Sequence, residues 1–140
     1  GGIAYIANVG DSRVYLFRNE KLVQLTEDHT YVNTLLNAGI ISEEQAASDS
    51  RKNVITKALG AEDTVEPDFF QVDIIKDDIF ILCTDGLYDE VSENEMKNIL
   101  KKKASMSDVC ADMIGAANRN GGHDNITIIA LRVTEEDLYE

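Results

Sequence analysis

The fold is decided by the stretch Ile79-Phe80-Ile81-Leu82-Cys83-Thr84-Asp85-Gly86-Leu87, in which a short apolar run ends at an aspartate and a glycine. Five consecutive apolar residues, several of them β-branched or aromatic, predict a buried strand. The polar pair Thr84-Asp85 and the glycine behind it mark the point where the strand stops. The sequence therefore predicts a core strand with Asp85 at its end.

The reverse arrangement occurs in a second stretch, Gly121-Gly122-His123-Asp124-Asn125. The glycine pair ends a helical pattern, and residues 126–133 then form an apolar, β-branched run that predicts a long strand. If the two strands lie side by side, Asp85 and Asp124 converge on an oxygen-rich pocket of the kind that suits Mg²⁺ or Mn²⁺. The alternative is that both aspartates are turn formers, a role that Asp and Gly commonly take at strand ends.

Two further aspartates strengthen the metal-site hypothesis. Asp11 lies in the tight connection Gly10-Asp11-Ser12 between two strand-like runs. Asp89 follows Asp85 by four residues, close enough to share a site if the intervening residues form a turn. Taken alone, Asp11 would be interpreted as a hairpin turn residue. The candidate metal ligands are therefore Asp11, Asp85, Asp89 and Asp124.

Short strand-like runs predict two antiparallel units. Three runs at short spacing, residues 3–9, 13–17 and 22–25, predict a meander. Residues 70–74 alternate apolar with polar side chains and are followed by a turn, which predicts a hairpin with the strand at residues 79–83.

Helices and one long loop complete the predicted single domain. A capping box that begins at Ser92 and an apolar face on residues 107–118 predict two helices. Residues 51–68 form a loop that carries the basic pair Arg51 and Lys52 and the only proline of the sequence. Loops of this kind often carry recognition residues.

The composition limits the classes of function. The chain has 140 residues, with 13 Lys and Arg against 26 Asp and Glu, and its formal net charge of -13 disfavours binding to nucleic acid and anionic membranes. It has no apolar stretch of the roughly 18 residues that a membrane span requires. Cys83 and Cys110 lack CxxC spacing and a flanking zinc-ligand pattern. These features predict a cytoplasmic protein with no nucleic-acid partner and no membrane segment in this chain.

Five motifs follow one another along nearly the whole chain. They are Ala7-Asn8-Val9-Gly10-Asp11-Ser12-Arg13, Leu25-Thr26-Glu27-Asp28-His29, Asn53-Val54-Ile55-Thr56-Lys57-Ala58-Leu59-Gly60, Cys83-Thr84-Asp85-Gly86-Leu87 and Gly122-His123-Asp124-Asn125-Ile126-Thr127. In sequence, order and spacing they resemble the signatures of the metal-dependent serine/threonine protein phosphatases of type 2C, particularly the bacterial members.

The resemblance implies an α+β fold, namely an antiparallel β-sandwich flanked by helices on both outer faces (αββα), here incomplete at the N-terminal side. It implies that residues 1–134 are the C-terminal part of the catalytic domain and that residues 135–140 are an acidic tail. Family members carry two upstream motifs, an Arg-x-x-Asn-x-Asp type stretch and Asp-Gly-x-Gly-Gly-His, and neither occurs in this sequence. The second supplies a carboxylate that bridges two metal ions, so we expect these 140 residues alone to bind metal weakly and to be nearly inactive.

The resemblance also implies a reaction. In the complete domain two or three Mn²⁺ or Mg²⁺ ions are expected, and a metal-activated water hydrolyses phosphoserine or phosphothreonine in proteins. By motif, Asp85 and Asp124 correspond to ligands of the metal core, while Asp11 and Asp89 correspond to contributors, with Asp85, to a weaker third site. We assign no catalytic acid in this chain, and we do not expect His123 to act as one.

The resemblance further implies partners. Arg51 and Lys52 belong to a flap beside the active site and would bind the phosphopeptide, with ordinary surface charge as the alternative. The expected partners are phosphoprotein substrates and either the missing N-terminal part of the domain or a swapped or dimeric assembly that covers exposed edges. Two other functional classes remain open: a non-catalytic regulatory or binding module on the same scaffold, and an unrelated acidic domain that binds Mg²⁺ or Ca²⁺ structurally.

Overall fold

Residues 1–139 of the chain are described by the computed structural model. Their elements are β1 (Gly2–Asn8), β2 (Arg13–Arg18), β3 (Lys21–Gln24), α1 (Tyr31–Asn37), α2 (Glu43–Ser48), β4 (Asp68–Ile74), β5 (Ile79–Cys83), α3 (Asp85–Tyr88), α4 (Glu93–Lys101), α5 (Met106–Arg119), β6 (Ile128–Arg132) and a 3-10 helix (Glu136–Leu138). None of these helices has the length and apolar character that crossing a membrane requires.

The strands form two antiparallel sheets. One sheet pairs β1 with β4, and the other has the strand order β3-β2-β5-β6. The apolar run that was predicted to be a core strand is β5, and it lies between β2 and β6 in the interior of the larger sheet. The two sheets pack face to face, which confirms the predicted antiparallel sandwich.

A first core lies between the four-stranded sheet and helices α3 to α5. Tyr15 and Ile81 of the sheet are fully buried against Leu87, Met96 and Met113 of the helices. Helices α4 and α5 start at serine caps: the hydroxyl of Ser92 accepts a hydrogen bond from the backbone of Glu95, and that of Ser105 accepts one from the backbone of Asp108. Burial of each large apolar side chain contributes about 1.5–3 kcal/mol, so this core fixes the helical layer on one outer face of the sandwich.

A second core lies between the two sheets. Val14, Leu16 and Phe80 of the larger sheet pack against Ile6 and Val72 of the smaller one. Strand β2 therefore alternates between two buried environments, with Tyr15 on the helical side and its neighbours on the other. This is why β2 and β5 are almost continuously apolar, whereas β1 and β4 alternate in burial.

The pairing of strands corrects two sequence predictions. The meander is wrong for β1, which pairs with β4 in the other sheet, and the hairpin is wrong because β4 and β5 belong to different sheets. The physical reason is burial. Strands β2 and β5 have two apolar faces and need a layer on each side, while β1 and β4 have one inward apolar face and can form an outer layer.

Several large apolar side chains remain exposed on the sandwich. On the outer face of the β1–β4 sheet, Tyr5 is 76% and Phe69 75% exposed. On the inner side of β6, Ile129 and Leu131 are 51% and 53% exposed. Within residues 1–139 the helical layer α3 to α5 covers one outer face, and these side chains mark sheet surface that the described residues leave uncovered.

Candidate metal centre

Three neighbouring strands of the larger sheet, β2, β5 and β6, have an end on the same side of the sheet, which is called its acidic edge below. Cys83 at the end of β5 is paired with Arg13 at the start of β2 and with Ile128 at the start of β6. The turns just beyond these positions carry three of the candidate ligands, Asp11, Asp85 and Asp124. The register of the sheet therefore brings together acidic residues that are far apart in the sequence.

Gly86 allows the segment before β6 to approach helix α3. A Cβ atom at Gly86 would lie only 2.9 Å from the carbonyl carbon of Asn125 and nearer still to its oxygen, well inside van der Waals contact. Only glycine leaves room for this contact. Asp85 precedes Gly86 and Asp124 precedes Asn125, so the close backbone approach is what places the two carboxylates side by side.

Two reciprocal hydrogen bonds between Thr84 and Thr127 also hold α3 against the segment before β6. The amide of Thr84 donates to the carbonyl oxygen of Thr127 (3.2 Å), and the amide of Thr127 donates to the Oγ1 of Thr84 (3.1 Å). Because of this contact with residues beyond β5, the regular strand begins at Ile128 rather than at residue 126 as the sequence predicts. Asp85 and Asp124 are thus held on one rigid backbone unit.

The turn from α5 into Asp124 contains two glycines with left-handed backbone, Gly121 (φ 144°) and Gly122 (φ 55°). A Cβ at Gly121 would lie 2.6 Å from Nδ1 of His123. The imidazole of His123 is largely exposed, and its Nδ1 lies 2.5 Å from Oε1 of Glu90. His123 therefore contacts the loop that follows α3. Within residues 1–139, its side chain makes no hydrogen bond to any of the four aspartates.

His29 holds the turn that carries Asp11. The backbone amide of Gly10 donates to Nδ1 of His29 (3.0 Å), so the proton of the neutral ring lies on Nε2, which faces Oδ2 of Asp68 at 2.7 Å. The carbonyl oxygen of His29 also accepts from the amide of Thr56 (2.8 Å). The buried ring of His29 thus links the Asp11 turn to the start of β4, and its backbone carbonyl holds the loop that contains Arg51 and Lys52.

The pKa values of three of the four aspartates, Asp11, Asp85 and Asp89, are raised. Burial raises the pKa of Asp11 and of Asp85, and the neighbouring carboxylates raise each further, Asp85 acting on Asp11 and Asp124 acting on Asp85. Burial also raises the pKa of Asp89, where the nearby ammonium of Lys52 acts in the opposite direction. Like charges held together in this way favour a cation.

The donor set fits Mn²⁺ or Mg²⁺. These hard ions prefer oxygen ligands, keep several waters and need only one or two protein carboxylates each. Asp85 and Asp124 form such a pair, with Asp11 and Asp89 beside Asp85. Within residues 1–139, no three His, Cys, Asp or Glu side chains are arranged so as to hold an ion by themselves.

A half-buried arginine lies next to Tyr88 and Asp89. Arg13 makes a two-pronged ion pair with Asp28, from Nε to Oδ1 at 2.9 Å and from Nη2 to Oδ2 at 2.6 Å. Its Nη1 donates to the hydroxyl of Tyr15 (2.8 Å), and its guanidinium lies 3.5 Å from the centre of the Tyr88 ring. The Tyr88 hydroxyl donates to the carbonyl oxygen of Asp11 (2.7 Å).

A groove of about 770 Å³ opens beside this edge of the sheet. It runs between α1 and α2 on one side and α3 and α4 on the other. Tyr88 and Asp89 line the groove, so Asp89 belongs both to the groove and to the four candidate ligands. Lys52 lines the groove and is close enough to Asp89 to affect its pKa. The structure thus places Lys52 next to the candidate metal centre.

Arg51 is placed differently from Lys52. Its guanidinium makes a two-pronged contact with Asp49, at 3.0 Å and 2.8 Å, and lies 5.0 Å from the centre of the Tyr31 ring. The hydrogen bonds from Arg51 lower the pKa of Asp49 to about 2. Arg51 is therefore engaged within its own loop, although it is exposed to solvent.

Sequence reasoning placed the four aspartates but assigned no role to Arg13, Tyr88 or His29. All three lie in or next to the motifs quoted above, so the motifs held a signal for them. The signal that could have found Arg13 is an arginine at the start of a largely apolar strand, since a guanidinium that is mostly withdrawn from water requires a carboxylate partner.

Comparisons with known proteins all indicate the same family. The family description "Protein phosphatase 2C" matches residues 2–126. The serine/threonine phosphatase stp of Listeria welshimeri is 51% identical over 124 residues, covering 89% of this chain and 49% of that protein. The protein phosphatase PhpP of Streptococcus pneumoniae is 39% identical over 134 residues, covering 96% of this chain and 54% of that protein. The chain thus spans about half the length of the curated relatives that it matches.

Solved structures agree with these relatives. A serine/threonine phosphatase of S. agalactiae superposes with a TM-score of 0.90 at 38% identity, covering 96% of this chain and 55% of that one. The catalytic domain of the phosphatase PstP, in complex with two manganese ions, superposes with a TM-score of 0.84 at 32% identity over 96% of this chain and 55% of that one.

Proposed function

The chain belongs to the protein phosphatase 2C family, and from this membership we propose that it is part of an enzyme that hydrolyses phosphoserine and phosphothreonine in proteins. The observation that carries the proposal is the convergence of Asp85 and Asp124, from distant motifs, at one edge of the sheet. Asp11 and Asp89 lie beside them and extend the acidic edge.

The proposed roles follow from the positions of the side chains. When bound, Mn²⁺ or Mg²⁺ ions, two or three in the complete domain, supply an activated water and neutralise phosphate charge. Asp85 and Asp124 would hold the metal core. Asp11 and Asp89 would contribute, with Asp85, to the weaker site of a further ion. The burial and mutual repulsion that raise the pKa of Asp11, Asp85 and Asp89 leave these carboxylates ready to gain from a cation.

We propose that this chain supplies only part of the site. It spans about half of each matched relative, and Tyr5, Phe69, Ile129 and Leu131 are exposed apolar side chains on the two sheets. The remaining part of the domain, or a swapped or second copy, would cover these surfaces and add the bridging carboxylate. The 140 residues alone are then expected to bind metal weakly and to turn over little substrate.

The proposed substrates are phosphoproteins, which would approach along the groove beside Asp89. Lys52 lines that groove and can meet a phosphopeptide directly. Arg51 would first have to leave Asp49, so we propose that it contributes after the loop rearranges. The thiols of Cys83 and Cys110 are free, which supports action in the reducing cytoplasm.

The test is a calorimetric titration with Mn²⁺ together with a phosphopeptide assay, carried out on the protein with the complete domain. Asp85→Asn is expected to lower Mn²⁺ affinity and kcat by at least about 10-fold, because even indirect partners of metal ligands cost that much. Asp112→Asn, a change on the exposed face of α5, is the matched control and should leave both unchanged. Unchanged binding in Asp85→Asn would remove Asp85 from the ligand set. A wild-type protein without Mn²⁺ binding or turnover would favour the non-catalytic module.

A further inference from the structure

Arg13 is fully engaged by protein groups. All three nitrogens of the guanidinium donate hydrogen bonds: Nε and Nη2 to Asp28, and Nη1 to the Tyr15 hydroxyl. The Tyr88 ring covers one face of the guanidinium plane. Its side chain is only 23% exposed, and that of Asp28 only 15%. An arginine next to a phosphatase site would ordinarily be assigned to phosphate binding. Here the carboxylate of Asp28 already neutralises the guanidinium and occupies the edge that would grip a phosphate.

Tyr88 connects Arg13 to two of the candidate ligand segments. It is the last residue of α3, the helix that begins with Asp85, and it directly precedes Asp89. Its hydroxyl donates to the carbonyl oxygen of Asp11 across 77 residues of sequence. The guanidinium of Arg13 lies over the face of the ring, 3.5 Å from its centre. The hydroxyl of Tyr88 therefore joins the Asp11 turn to α3.

The contact between Tyr88 and the Asp11 turn differs in kind from the contacts that bring Asp85 and Asp124 together. Those two carboxylates are linked by backbone contacts at Gly86 and by the reciprocal bonds of Thr84 and Thr127. In the part of the chain that the structure describes, the only hydrogen bond between α3 and the Asp11 turn comes from the Tyr88 hydroxyl. The position of Asp11 relative to α3 thus depends on side chains.

We propose that Arg13 and Tyr88 are positioning residues for the metal site: Asp28 orients Arg13, Arg13 holds the ring of Tyr88, and Tyr88 holds Asp11 against α3. The inference rests on the proposed function, and it assigns Arg13 to ligand geometry instead of phosphate binding. The ion that needs Asp11 should therefore depend on this chain of contacts more than the ion held by Asp85 and Asp124.

The experiment compares Tyr88→Phe and Arg13→Lys with wild type in the protein with the complete domain. Tyr88→Phe removes only the hydroxyl, and Arg13→Lys keeps the charge but loses the fork and the stacking plane. We expect both to weaken the lowest-affinity Mn²⁺ step by roughly 10- to 100-fold in calorimetry, with the KM for a phosphopeptide unchanged at saturating Mn²⁺. Tyr139→Phe, which deletes an exposed hydroxyl elsewhere, is the control and should change neither value.

The opposite pattern would overturn the proposal. If Arg13 binds phosphate, Arg13→Lys will raise KM while Mn²⁺ affinity stays at the wild-type value. If Tyr88→Phe folds, as judged by circular dichroism, and binds every Mn²⁺ ion as wild type does, the positioning role is wrong even though the phosphatase assignment stands. A wild-type protein that binds no Mn²⁺ would refute both, so the two failures are distinguishable. Tyr88→Phe removes one oxygen atom, and it keeps the test decisive if Arg13→Lys does not fold.

Discussion

Gly86 is the single residue on which the juxtaposition of Asp85 and Asp124 depends most directly. Replacing it with alanine would normally favour a helix, because glycine costs about 0.5–1 kcal/mol there relative to alanine. At this position the added methyl group meets the backbone of Asn125, which cannot move without shifting Asp124. We therefore expect Gly86→Ala to lower the free energy of unfolding by about 1–3 kcal/mol and to weaken Mn²⁺ binding.

The chain offers a matched control for this change. Gly115 lies inside α5, and a Cβ there would meet only Nη1 of Arg119, the flexible end of a side chain, at 3.1 Å. Gly115→Ala should be neutral or slightly stabilising in urea unfolding and should leave metal binding intact. Equal losses of stability in the two variants would contradict the explanation from close packing.

At the scale of elements, one buried carboxylate anchors the connection between the two sheets. Asp78, just before β5, is 1% exposed and receives Nε and Nη2 of Arg18 at 2.7 Å and 2.6 Å. Its Oδ2 also accepts from the amide of Ile75 (2.9 Å). Asp78→Asn removes the negative charge that pairs with Arg18 and converts one acceptor to a donor, so we expect a loss of about 2 kcal/mol in urea unfolding.

The neighbouring residue provides the comparison. Asp77 is exposed and has a left-handed backbone (φ 70°), a conformation in which asparagine is well tolerated. Asp77→Asn should therefore unfold at the same urea concentration as wild type or slightly above it. If Asp78→Asn unfolds at that concentration too, the Arg18 pair contributes nothing to the anchor.

Elements also show what the sequence could and could not predict. The apolar run that ends at Asp85 was enough to identify β5, and its position between other strands followed from its lack of polar residues. The partner of β1 could not be predicted, because local spacing favoured β2 and the competing β4 lies about sixty residues away. Likewise, the aspartates could be found from turns at strand ends. The contact of Arg13 with Tyr88 could not, since it depends on two side chains that meet only after the sheet has formed.

At the scale of the whole molecule, the acidic edge makes metal-free stability depend on pH. The pKa of Asp85 is raised above the 3.8 of the unfolded chain, so the folded state binds its proton more tightly. Below pH 3.8 both states are protonated and Asp85 costs nothing; as pH rises through the raised pKa, the folded state loses stability. Without metal at pH 7, we expect Asp85→Asn to be more stable than wild type by about 1 kcal/mol, the repulsion of two unit charges 4 Å apart in water.

Urea unfolding of both proteins between pH 3.5 and 7, with chelator present, measures this difference. The gap between Asp85→Asn and wild type should close toward the acidic end, and saturating Mn²⁺ at pH 7 should reverse it, because wild type then gains binding energy that the variant lacks. A gap that is constant with pH would mean that the stabilisation comes from something other than charge at Asp85.

The sheet order β3-β2-β5-β6 has a consequence for biosynthesis. A growing chain that has emerged as far as α4 already contains Asp11, Asp85 and Asp89, yet Asp124 reaches Asp85 only when β6, the last strand described, adds to the edge of the sheet. The pair that would hold the metal core therefore cannot form until the chain has emerged through β6, so binding of an ion there has to follow the addition of this last strand to the sheet.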